Sequence, residues 1–185
     1  MSAGHGGHID PANKGVALFI AILALVLAFS ETLGKASQTT ALVQHIEASN
    51  LWSFFQAKTI RQTAIRTAAE EMEAQHGAKA PEAVKKQIEA WKKTAERYQS
   101  EPETNEGRKE LAERAKAAEE KRDRALAAYH QYELASAAVQ IAIVLASASI
   151  ITGAMALAWI GVGLGAVGVV FCLIGLFAPT AVHLF

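Results

Sequence analysis

Residues 135–178 read ASAAVQIAIVLASASIITGAMALAWIGVGLGAVGVVFCLIGLFA, and this stretch decides the fold. Its 44 residues contain no Asp, Glu, Lys or Arg. A helix that crosses a bilayer needs about 20 apolar residues, so the run holds two crossings joined by a tight turn. Gly153 is the natural break. The pattern predicts a second span over 135–153 and a third over 156–178, followed by a short tail, 179–185. An earlier apolar run, 15–29, covers about 22 Å as a helix. Carried to Leu33 it reaches spanning length, with Ser30, Glu31 and Thr32 at headgroup level. This gives a first span over 15–33 behind a Gly- and His-containing tail, 1–14. Only Lys14 precedes the run, and a cleaved signal peptide calls for a basic cluster there, so the segment reads as a retained anchor.

The charge lies between these runs. Residues 31–134 hold all but one of the 18 Lys and Arg and all but one of the 18 Asp and Glu. The exceptions are Lys14 and Asp10. The signs are balanced and interleaved, which excludes the basic stripe that nucleic acid requires and the polybasic patch that anionic lipid attracts. Lys116, Lys121, Arg122 and Arg124 flank the second span, so the positive-inside rule places 34–134 in the cytoplasm. The fold class expected is an all-α membrane protein: one N-terminal span, a coiled-coil-like cytoplasmic region and a C-terminal two-span hairpin, residing in a bacterial inner membrane.

The middle region shows helical periodicity and no strand pattern. In a first segment, 36–75, Val43, Ile46, Asn50, Ala57, Ile60 and Ala64 recur at heptad spacing, with Ser53 at the polar gap. A second runs from Pro81 to Tyr98, with a 4-3-4-3 seam of Val84, Ile88, Trp91, Ala95 and Tyr98. Ser100 and Glu103 match a capping box and predict the start of a third helix there, with Leu111, Ala115, Ala118, Ala125, Tyr129 and Tyr132 on its seam. Nothing between Arg108 and Thr152 stops that helix, so it should run unbroken into the second span. Glu-to-Lys or Arg pairs four apart, such as Glu89 with Lys93, mark a solvated outer face. The seams are thin and rich in Ala, which favours burial against other copies of the chain.

Chemical motifs are few. Gly163 to Gly168 match G-x-G-x-x-G, but the fingerprint needs a preceding strand and a later acid, and no acid follows Glu133. Gly161, Gly165 and Gly168 read instead as a face for close packing of spans. His5, His8 and Asp10 are the one metal-like spacing, on a tail whose ordering opposes binding. The lone Cys172 excludes an intrachain disulfide. Within the second span Gln140, Ser147, Ser149 and Thr152 are the polar groups, with no ionisable residue to mark an ion pathway. No catalytic constellation appears, and neither catalytic residues, metal nor cofactor is expected.

The densest polar constellation is Gln44, Glu47, Asn50, Gln56, Lys58, Arg61 and Gln62, with Asn50 on the seam, where a buried Asn fixes register and partner number. Residues 50–62, NLWSFFQAKTIRQ, with the preceding 42–49, lie just after the first span and well before the C-terminal hairpin. In this the chain resembles a bacterial family of uncharacterised membrane proteins, domain of unknown function 4337. The resemblance implies one anchor, a charged helical middle and two C-terminal spans, and brings no activity, cofactor or site residues. The expectation is a non-enzymatic protein that self-assembles, using Asn50, Trp52, Phe54, Phe55, Lys58 and Arg61, and organises membrane components. The alternatives are a channel or transporter subunit, or an accessory subunit of a larger membrane complex. The partners expected are further copies of the chain, the lipid bilayer and other membrane proteins.

Overall fold

In the computed structural model, which describes residues 11–182, every regular element is helical: α1 Pro11–His76, a 3-10 turn Gly77–Lys79, α2 Glu82–Gln99, α3 Arg108–Thr152 and α4 Met155–Phe177. Three helices, α1, α3 and α4, are long and apolar enough to cross a membrane. The chain is a membrane protein. The helices divide between two compact units. One, the membrane unit, contains α1 up to Ala41, α3 from Asp123, and α4; the other, the head, spans Leu42–Arg122.

Within the spans of the membrane unit, apolar side chains fill most of the inside and most of the outside, as a bilayer dictates. Leu23, Val139 and Ala142 form its core, with Phe19, Val26, Leu27, Ile143 and Leu164 packed around them. On α3 the buried positions Ala135, Val139, Ala142, Ala146 and Ser149 recur every three or four residues and are mostly small. Small residues let helix backbones approach, which is how spans associate where lipid is as apolar as Leu. Facing outward are Leu18, Ile22, Leu25 and Phe29 of α1, Ile141, Val144 and Ile151 of α3, and Trp159, Val170, Leu173 and Phe177 of α4. An exposed apolar surface of this extent calls for lipid rather than water.

α3 and α4 turn at Gly153, which adopts φ +70, a left-handed conformation that costs a side-chain-bearing residue about 1–2 kcal/mol. Its N–H donates to Ser149 O at 2.9 Å, and Ala154 N–H donates to Thr152 Oγ1 at 3.3 Å. The helix that reaches this turn is assigned without a break from Arg108 to Thr152, through both the charged and the apolar sequence.

The head is held by a small core of Leu51, Leu111 and Ala115, with Trp52, Phe54 and Phe55 against it. On α2 the buried or half-buried residues are Val84, Ile88, Trp91, Ala95 and Tyr98, the seam read from spacing, together with Thr94 beside it. The start of α3 differs from the expected capping box. Ser100 is instead the extended residue that closes α2, with φ −149 and ψ 127, and residues 101–107 form a turn. Glu110, not Glu103, reaches back: Ser100 Oγ donates to its carboxylate at 2.6 Å and Glu101 N–H donates at 3.1 Å. Gly107 permits this closure, because a Cβ there would run into the Glu110 carboxylate and the backbone of Ser100 and Glu101.

The Ser100 hydroxyl holds the Glu110 carboxyl below the usual carboxylate range. A lowered folded-state pKa adds stability that is complete above the unfolded value, about 4.3, and is lost as pH falls through the folded one. The melting temperature of the wild type should therefore exceed that of Glu110→Gln at about pH 6, and the gap should shrink below about pH 4. A gap independent of pH would show that the carboxylate charge is not what closes the turn.

Candidate functional site

The polar groups of the head converge where α1, the end of α2, the 101–107 turn and the start of α3 meet. Arg108 is the hub. Its Nε donates to Thr59 Oγ1 at 2.9 Å, and its Nη1 donates to Gln62 Oε1 and, at 2.9 Å, to Gln99 Oε1. The guanidinium lies 5.0 Å from the Phe55 ring centroid. A planar fork with several donors and a flat face suits this position, and an ammonium would not. Gln62 is itself buried, and its Nε2 donates to Ala95 O at 2.9 Å.

Lys58 forms the second half of the cluster. It is only 5% exposed, and its Nζ donates to Glu101 Oε2 at 3.3 Å. The Phe54 and Tyr98 rings flank the ammonium at 5.4 and 5.7 Å. Arg97 approaches the other Glu101 oxygen at 3.6 Å. Nearer the core, Trp52 Nε1 donates to Glu119 Oε1 at 2.9 Å, and Trp52 meets Phe55 edge-on. The buried charge is thus paired and each buried amide is bonded, which is what burial of such groups requires. Chemically the arrangement is a clasp that fixes three helices.

Of the six residues expected at an assembly interface, Trp52, Phe54, Phe55 and Lys58 are taken up within the chain. Asn50 and Arg61 lie on the surface. Phe54 and Lys58 turn inward, whereas Glu47 makes an exposed pair with Arg114 at 3.8 Å, worth little. The partners that complete the clasp, Gln99, Glu101, Arg108 and Glu119, come from residues far along the chain, and no local spacing marks them.

The face that α1 leaves open is the heptad seam itself. Val43, Ile46, Asn50, Ser53, Ala57, Ile60 and Ala64 are all exposed, while the opposite face buries Ala48, Leu51, Lys58, Gln62 and Ala69. Ile60 is 70% exposed and Val43 54%.

In the membrane unit Gly161, Gly165 and Gly168 are buried on one side of α4. A Cβ at Gly161 would lie 3.1 Å from Ala142 O, one at Gly165 2.8 Å from Leu23 Cδ2, and one at Gly168 2.5 Å from Val139 Cγ2. Gly163, by contrast, faces open space. Ser147 and Thr152 hydroxyls donate to the carbonyls of Ile143 and Ala148, one turn back. The His5, His8 and Asp10 spacing lies outside the described residues. Among the described residues no group of three His, Cys, Asp or Glu is placed to hold a metal ion.

A family model described as "Domain of unknown function (DUF4337)" matches residues 12–178, from the start of α1 to just past the end of α4. The chain belongs to this family. Membership covers both units, so the head and the membrane unit are parts of one family architecture. No curated protein and no solved structure matches the chain.

Proposed function

We propose that this DUF4337 protein is a non-enzymatic scaffold of a bacterial inner membrane, which self-assembles through the open seam of α1 with its head in the cytoplasm. The observation that carries the proposal is the exposure of the seam on a helix whose other face is already filled. Seven positions from Val43 to Ala64, spaced alternately three and four residues, are the repeat by which helices pair. A single chain satisfies its polar clasp yet leaves Val43, Ile46 and Ile60 in water, and pairing with a second copy buries them.

Copies in one bilayer insert residues 15–33 in the same direction, so their α1 seams run parallel and Asn50 meets Asn50. An Asn at that position selects partner number and register at a cost in stability. Like residues then meet like around the symmetry axis, as in a parallel in-register coiled coil with closed symmetry. The positive charges before the second span, Lys116, Lys121, Arg122 and Arg124, favour the cytoplasmic side for the head.

Two variants test the seam by mass photometry of the detergent-extracted protein. Ile46→Glu combined with Ile60→Glu should reduce the oligomer to monomer. Asn50→Leu should broaden or shift the mass distribution. A double variant with the mass of the wild type would sink the proposal.

A further inference from the structure

Within the membrane unit, α1 and α3 enclose a groove of about 500 Å³ where both helices pass from apolar to charged sequence. That volume is within the range of small-ligand sites. Ser30, Glu31 and Lys35 line it from α1, and Tyr129, Glu133 and Gln140 from α3. Its position along the chain is the headgroup level of the bilayer: the apolar run of α1 ends at Phe29, and that of α3 begins at Ala135, just after Glu133.

The groove is built but not internally closed. Gln140 Nε2 donates to Glu31 Oε1 at 3.3 Å, which joins the two walls. The Tyr129 hydroxyl reaches Glu133 Oε1 at 3.5 Å, which is long for such a bond. The Ser30 hydroxyl is fully buried and has no hydrogen-bond partner in the structure. A buried polar group without a partner costs stability, so the groove has a hydrogen-bond position to fill. Among the described residues Lys35 makes no ion pair, although two carboxylates line the same groove.

We propose that this groove binds the headgroup of a zwitterionic phospholipid that carries a primary ammonium. Glu31 and Glu133 face the ammonium, and Lys35 with the Ser30 hydroxyl faces the phosphate. Two carboxylates against one ammonium give the groove a net negative charge, which disfavours anionic lipid. A quaternary ammonium has no N–H to donate and fits less well. The acyl chains follow the outward apolar surface, beginning one turn below the groove at Val144. The proposal rests on the membrane reading and is independent of the α1 seam.

The test is native mass spectrometry of the full chain, purified into detergent and exposed to equal amounts of phosphatidylethanolamine, phosphatidylcholine and phosphatidylglycerol. The wild type should retain phosphatidylethanolamine at least about fivefold over the other two. Glu31→Gln with Glu133→Gln should abolish that preference, and Lys35→Ala should weaken retention of all three. Glu89→Gln, on α2, should change nothing, and the fold of each variant is checked by its melting temperature. Equal retention of the three lipids by the wild type, or an unchanged preference in the double variant, would overturn the proposal. Displacement of the lipid by millimolar soluble phosphoethanolamine would overturn it in favour of a water-soluble ligand of the same chemistry.

Discussion

Replacing Gly168 with leucine should separate α3 from α4 and destabilise the membrane unit by about 3 kcal/mol or more, the upper end for overpacking. The first added carbon alone would stand 2.5 Å from Val139 Cγ2 and 3.1 Å from the backbone oxygen of Ala135. Val139 can turn aside, but a helix carbonyl cannot, so the backbones must move apart. Moving them exposes the contact of Val139 with Leu23 and Ala142 that forms the core. Gly163→Leu is the control. It lies on the same helix, has the same change in helix propensity and volume, and meets nothing within 4 Å. Thermal unfolding in a fixed detergent should therefore show a large loss for Gly168→Leu and almost none for Gly163→Leu. Equal losses would mean that helix propensity, and not close approach, explains the glycines.

Arg108→Ala should cost the head about 2–4 kcal/mol, because it takes the donor from the buried Gln62 and the half-buried Thr59 and does not merely remove one ion. Gln62 Oε1 and Thr59 Oγ1 lose the Arg108 donor, Gln99 Oε1 keeps only the 3.3 Å bond from Gln62 Nε2, and Phe55 loses the cation on its face. Arg108→Lys should recover less than half of the loss, since an ammonium cannot reach three acceptors from the plane of a fork. The fluorescence of Trp52 and Trp91, both in the head, reports its unfolding. A Lys variant as stable as wild type would show that charge alone serves there.

How far the sequence could be read follows from how local each feature is. The three apolar runs, the unbroken passage of α3 from Arg108 to Thr152 and the turn at Gly153 are properties of neighbouring residues, and each is legible from composition or from one glycine. The α2 seam is legible for the same reason: its 4-3-4-3 spacing leaves one side to bury. α1 is different because it carries two faces suited to burial. The Val43-to-Ala64 face has the cleaner spacing. The Leu51, Lys58, Gln62 and Ala69 face is the one filled within the chain, and it wins because Arg108, Glu101 and Glu119 are there to satisfy its polar groups. Nothing near residues 50–62 announces those partners. The capping box at Ser100 failed on the same point, since Glu110, ten residues along, competes for the hydroxyl that Glu103 was expected to use.

The central claim is that the open seam of α1 meets the same seam of a second copy, in parallel and in register. Cysteine cross-linking in native membranes tests it directly, because Cys172 is the only natural cysteine and Cys172→Ser gives a clean background. In that background Asn50→Cys should form a disulfide-linked dimer in high yield under mild oxidation, Ile46→Cys should do the same, and Glu89→Cys, exposed on α2, should not. A dimer at Asn50 and Ile46 only is the predicted result. Cross-linking that is absent at both seam positions, or no stronger there than at Glu89, would contradict the account.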